Sequence, residues 1–167
     1  DSYLGAFNDL YEPPKVVDSG NVRDYPASAL YDFCNAFHTV LHEWLFMVLR
    51  VLNIPRSIRN LIFSLYADIQ AFSAGIGDGS WLFAVLGGVK TGCPLSSLLF
   101  LLCIKPFINL FEFLSDEPGF SITRVCADDF ASTLRHLESL ATHSSIFRLA
   151  REVAGLLLKP SKCVLII

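Results

Sequence analysis

Arg124-Val125-Cys126-Ala127-Asp128-Asp129-Phe130-Ala131 is the stretch on which the reading of this chain turns. Two adjacent carboxylates stand there between apolar, strand-prone flanks. Aspartate is depleted in strands and neighbouring like charges repel, so an acidic pair at the tip of an apolar run calls for a cause. Either a divalent cation is held where a hairpin turns, or an acidic turn simply faces water. The pair alone does not decide between them.

Composition narrows the field. The 167 residues suit one domain with a real core, and 53% are hydrophobic, 14 of them Phe, against 17% charged. That excludes a disordered chain and is apolar even for a soluble domain, which implies surface normally covered by something else. A net charge of −3 argues against a free-standing nucleic-acid binder with a basic face. Five cysteines (Cys34, Cys93, Cys103, Cys126, Cys163) contain no C-x-x-C pair and are odd in number, as expected of reduced thiols in an intracellular protein, nuclear or cytoplasmic. No secretion signal opens the chain. The apolar run from Leu98 to Phe113 approaches membrane-span length, but Lys105, Pro106, Asn109 and Glu112 interrupt it, so it reads as a buried helix and no membrane partner is expected. The first residue is Asp1, the lone Met is Met47 and the last residues are apolar, so both ends read as cuts through a longer protein.

Along the chain, residues 1–27 are irregular, with Pro13-Pro14 and Gly20. Residues 29–33 form a short strand candidate carrying Asp32. Leu41, Trp44, Leu45, Val48, Leu49 and Leu52 recur at helical spacing, and Pro55 closes that helix and opens another over about 56–69. Residues 71–74 and 81–86 flank Gly75-Ile76-Gly77-Asp78-Gly79, a hairpin signal. A glycine-rich loop over 87–94 leads to Ser96, a candidate cap for the apolar helix beyond. The acidic hairpin follows, with arms near 120–126 and 130–134, then a helix over 137–157 and a final strand over 163–167. Mixed elements with antiparallel hairpins give an α+β domain, helices packed on one antiparallel sheet. Were the strand ending at Asp32 to lie beside the Asp128-Asp129 hairpin, three carboxylates would meet.

Four segments then carry a resemblance. Tyr31-Asp32-Phe33-Cys34-Asn35-Ala36-Phe37 resembles the first catalytic motif of reverse transcriptases, in the form found in non-LTR retrotransposons, as does His42-Glu43-Trp44-Leu45-Phe46 after it. Residues 88–100, Gly-Val-Lys-Thr-Gly-Cys-Pro-Leu-Ser-Ser-Leu-Leu-Phe, resemble the second motif. Cys126-Ala127-Asp128-Asp129 resembles the third, and residues 155–163 around Lys159-Pro160-Ser161-Lys162 the fourth. The motifs occur in the family's order from about residue 28 to the end. The resemblance implies a polymerase palm over 28–167, with 1–27 a remnant of the fingers and the fingers and thumb otherwise missing.

It also implies a chemistry. Transfer of a nucleotide to a primer 3′-hydroxyl by two Mg²⁺ ions (or Mn²⁺) needs hard oxygen ligands on fixed elements, the ions roughly 3.5–4 Å apart. By the resemblance Asp32, Asp128 and Asp129 hold the metals, and Lys162 matches a lysine proposed to protonate pyrophosphate; a solvated lysine is the alternative. Phe37 corresponds to an aromatic gate against a 2′-hydroxyl, or is a core Phe. The turn of Phe33, Asn35, Ala36 and Phe37, with Thr91 and Gly92, would meet the nucleotide. The implied partners are an RNA template, a DNA primer, deoxynucleoside triphosphates and the missing fingers and thumb of a parent retroelement polyprotein.

The sequence also departs from the family pattern. Asn35 replaces the usual Lys, His38 a frequent Asp, Thr91 the usual Gln, Ser97 a common Pro, and Cys126 an aromatic residue. The three aspartates are kept while the shell that meets nucleotide and primer is altered. An active polymerase and an inactive, degenerate palm serving as an RNA- or protein-binding scaffold both fit that pattern.

Overall fold

The computed structural model describes residues 25–74, 79–90, 92–115 and 122–167. Most of the lead-in 1–27, the tip of the first hairpin and the nucleotide-site candidate Thr91 lie outside the described residues. Strand β1 spans Ala27–Asp32, and Phe33 continues it as a single bridge to Leu158. A short helix α1, Ala36–Thr39, was not legible in the sequence, since four residues carry no periodicity. Helix α2, His42–Val51, buries Leu45, Val48 and Leu49, and α3, Arg56–Tyr66, buries Ile62 and Tyr66. The expected extension of α3 to residue 69 fails because Ala67 turns extended and Asp68 takes a positive φ of 55°. Strands β2, Gln70–Phe72, and β3, Trp81–Ala84, form the first hairpin as a separate two-stranded sheet.

Helix α4, Ser96–Ser115, is the long apolar one. By length and composition it could cross a membrane, yet here Leu99, Phe100, Cys103, Ile104, Phe107 and Phe111 are all core residues. Ser96 does not sit ahead of the helix as its cap. It is the first helical residue, and its hydroxyl donates to the Lys90 carbonyl, tying the glycine-rich loop to the helix start. Strands β4, Ile122–Cys126, and β5, Asp129–Leu134, are the acidic hairpin. Helix α5, Ser139–Ala154, stops three residues short of the expected 157 because Gly155 takes φ 76°, where a Cβ would collide with the Thr39 carbonyl. A 3₁₀ turn, Pro160–Lys162, and strand β6, Val164–Ile166, close the described chain.

The main sheet runs β4-β5-β1-β6, antiparallel throughout. Along β5 the period of two sends Phe130, Ser132 and Leu134 inward and Asp129, Ala131 and Thr133 outward. The inward face meets α4 and α5. Phe130 stands edge-on to Phe33 at 5.4 Å and to Phe147 at 5.7 Å, with Phe111 at 5.8 Å, so much of the phenylalanine excess forms one aromatic core. The outward face is open, and Leu30, Ile122, Val164 and Ile166 lie exposed on it. This is the α+β architecture expected, with helices on one side of the main antiparallel sheet, except that the β2–β3 hairpin stands apart as a second, two-stranded sheet.

Candidate active site

β1 and β5 are neighbours in a register that pairs Tyr31 with Phe130 and Asp32 with Asp129. Two carboxylates therefore face each other across one rung, on the open side of the sheet. Like charges directly opposite on a β-ladder are destabilising, so this rung requires a counter-charge. Asp128 occupies the two-residue turn between β4 and β5, next to Ala127 at φ 55°. Alanine pays a conformational penalty in that left-handed region, and such strain at a turn is common where side chains must be aimed.

Lys162 supplies a positive charge. Its Nζ lies 2.7 Å from the Asp32 carboxylate, whose side chain is only 18% exposed. The ammonium is held above its ordinary range, first by the hydrogen bond and charge of Asp32 and then by weaker pulls from Asp129 and Asp128. Backbone bonds fix this geometry. The Lys159 N–H donates to the Asp32 carbonyl at 2.8 Å, and the Cys34 N–H donates to the Leu157 carbonyl at 2.7 Å. The segment leading to Lys162 is thus sewn to the end of β1.

A cavity of about 660 Å³ opens here, lined by Asp32, Asp128 and Lys162 on one side. The other walls come from the Phe33–His38 turn and from the loop at Lys90, Gly92 and Cys93. Asn35 adopts the left-handed conformation (φ 51°) ahead of α1, which turns the chain sharply after Asp32. Phe37 borders the cavity with its ring stacked on Phe100 at 4.4 Å and 20°, so it is both a wall and a packed ring. Phe33 and Ala36 are buried, so they can offer the cavity little beyond backbone. Gly92 takes φ 81° with open space where a Cβ would project, so its conformation rather than crowding within the chain calls for glycine. The loop is held against the turn by Val89 N–H donating to the Phe37 carbonyl at 2.7 Å and by His42 Nε2 donating to the Gly88 carbonyl at 2.9 Å.

Of the sequence-predicted residues, Asp32, Phe33, Asn35, Ala36, Phe37, Gly92, Asp128 and Lys162 come together around the cavity. Asp129 does not line it; its carboxylate stands exposed at the rim, across the rung from Asp32. Lys90, Cys93 and Ser97 are additional wall residues. Lys90 could have been found from its place inside the second motif.

The donor set fits a hard divalent ion: carboxylate oxygens at the ends of two adjacent strands, reachable from a solvent-open cavity. Among the described residues no three His, Cys, Asp or Glu side chains already converge on one point. Magnesium commonly takes one or two carboxylates and completes its shell with water and substrate phosphates, so a full protein cage is not required. The five cysteines are all free thiols.

A family model for reverse transcriptase (RNA-dependent DNA polymerase) matches residues 18–167. The retrovirus-related Pol polyprotein of the type-1 retrotransposable element R2 from Popillia japonica is 30% identical over an alignment of 143 residues that covers 79% of this chain. The chain spans 23% of that polyprotein's length. Among solved structures, apo telomerase from Candida tropicalis shares the fold at a TM-score of 0.70 and 13% identity over 99% of this chain and 31% of its own. Telomerase from Candida albicans in complex with a fragment of telomeric RNA does so at 0.63 and 14%, over 86% of this chain and 27% of its own.

Proposed function

The chain belongs to the reverse transcriptase (RNA-dependent DNA polymerase) family, and on that premise we propose that it is the palm of a retroelement polymerase that adds deoxynucleotides to a primer 3′-hydroxyl opposite an RNA template. The observation that carries this reading is the β1–β5 rung, which sets Asp32 across from Asp129 while Asp128 and Asp32 line one cavity. Asp32, Asp128 and Asp129 would hold two Mg²⁺ ions there. When bound, such ions lower the pKa of the attacking hydroxyl and neutralise charge on the departing pyrophosphate.

The chain's own residues do the rest. The Phe37 ring, braced by Phe100, presents a flat wall where a sugar would lie and disfavours a 2′-hydroxyl. In the Phe33–Phe37 turn the Cys34 N–H is taken by the Leu157 carbonyl, and the backbone of Asn35–Phe37 would offer N–H groups to phosphate oxygens without a demand on side chains. Lys162, already charged and beside Asp32, is placed to give a proton to an oxygen leaving from the same cavity. The open face of the sheet, with Leu30, Ile122, Val164 and Ile166, is suited to be covered by nucleic acid or by fingers and thumb segments of a parent chain.

A second reading has its own observation. Asp32 is committed to Lys162 at 2.7 Å, so a palm that has become a nucleic-acid or protein scaffold would keep this same arrangement as a plain ion pair. Primer extension on an RNA template by the full-length protein separates the two. The polymerase reading expects Mg²⁺-dependent extension that Asp128→Asn abolishes. Extension indifferent to that substitution would remove Asp128 from the site, and no extension by the unaltered protein would favour the scaffold.

A further inference from the structure

Away from the polymerase cavity and sharing no wall with it, a second cavity of about 200 Å³ lies between α2 and α3. Arg50 reaches it from the end of α2, and Arg56, Arg59 and Asn60 from the start of α3. Among the described residues no carboxylate lines it. Among the described residues none of the three arginines takes part in an ion pair, and the Arg59 Nε–H is buried without a hydrogen-bond partner. A buried N–H donor left unpaired is costly, and three guanidinium groups lining one small space favour an anion between them. The first turn of α3 carries no acid, so Arg56 and Arg59 sit at a helix end that electrostatically prefers an anion. Beside them the Phe46 and Phe63 rings pack at 5.0 Å, and Phe63 is 54% exposed.

We propose that this pocket is a second, non-catalytic binding site for a single-stranded nucleic acid, with one backbone phosphate held by Arg50, Arg56 and Arg59 and an adjoining base on Phe63. The guanidinium fork matches a phosphate in geometry, and an exposed aromatic face beside a cationic pocket is the arrangement that binds single strands regardless of sequence. The choice of a nucleic acid over another phosphate or a carboxylate rests on the family reading above. The site would hold the strand outside the catalytic cavity, adding grip that an acidic chain otherwise lacks.

The test measures binding of a short labelled single-stranded RNA, and of the same sequence as DNA, to the full chain over a range of salt. Arg59→Gln should weaken binding about tenfold at low salt and lower the slope of log affinity against log salt by about 0.7. Arg56→Gln, on the exposed first turn, should act in the same direction without lowering the melting temperature, and Phe63→Leu should weaken affinity without changing the slope. Equal losses for RNA and DNA identify the phosphodiester as the ligand; loss for RNA alone adds a contact to the 2′-hydroxyl. Unchanged affinity and slope in both arginine variants would overturn the proposal. So would arginine-dependent binding of an acidic peptide with none of the oligonucleotides. Arginine-dependent binding by a protein that never extends a primer would sink the polymerase reading and leave this site standing.

Discussion

Replacing Phe130 by alanine tests the link between the aromatic core and the acidic hairpin. Phe130 is 2% exposed, follows Asp129 directly and packs against Phe33, Phe111 and Phe147. Its ring thus ties the strand that carries Asp129 to the helices behind it and to the residue following Asp32. Truncating a fully buried phenylalanine costs about 3–5 kcal/mol, the transfer energy of the ring plus the cavity left behind. Native domains hold only about 5–15 kcal/mol, so a fifth or more of the reserve would go. For a chain of this length each kcal/mol moves the melting temperature by about 2–4 °C, and a fall of about 6–20 °C is expected. Thermal unfolding followed by circular dichroism measures it, with Phe113→Ala as the control. Phe113 lies on α4 but is 68% exposed, and its loss should cost less than about 0.5 kcal/mol. Equal shifts for the two variants would refute the placement of Phe130 in the core and, with it, the support claimed for the site.

Three further outcomes are expected. Phe37→Ala should raise the use of ribonucleotides relative to deoxynucleotides in extension assays by tenfold or more (on the order of 1–3 kcal/mol of discrimination), because the stacked ring on Phe100 is the wall in question. His143 is fully buried, accepts or donates a hydrogen bond with the Tyr31 hydroxyl at 2.9 Å, and burial pushes its pKa down to about 4. Above pH 6.5 it is neutral in both folded and unfolded chains. Between pH 6.5 and about 4 only the unfolded chain takes up the proton, so stability should fall as pH falls. The steepest loss is about 1.4 kcal/mol per pH unit, read by denaturant titration and absent in His143→Gln. Ala127→Gly relieves the left-handed turn at φ 55° and should raise the melting temperature by a few degrees, on the order of 1 kcal/mol.

The sequence singled out candidate residues better than it showed what positions them. Asp32 and the Asp128-Asp129 pair stood out because carboxylates in apolar, strand-forming flanks call for a cause, whereas Lys162 came only with the resemblance of residues 155–163 to the family's fourth motif. Their meeting was legible only as a condition on strand order, which the β1–β5 register then met. Ser96 was misread as a cap because a hydroxyl before an apolar helix has several possible acceptors, and only the folded loop offers it the Lys90 carbonyl. The ends of α3 and α5 were overrun because Asp68 and Gly155 stop those helices through backbone conformation, which hydrophobic periodicity does not encode. The arginine pocket was invisible for a similar reason. Arg50 sits on one helix and Arg56 and Arg59 on the next, and their convergence depends on how α2 and α3 pack.

The most direct test of the central claim is electron paramagnetic resonance of Mn²⁺ added to the full-length protein with a primer-template and a non-hydrolysable deoxynucleotide. If Asp32, Asp128 and Asp129 form a two-metal site, a pair of spin-coupled ions roughly 3.5–4 Å apart should appear and vanish in Asp128→Asn. Isolated, uncoupled Mn²⁺ in the unaltered protein, or a coupled pair that survives Asp128→Asn, would contradict it.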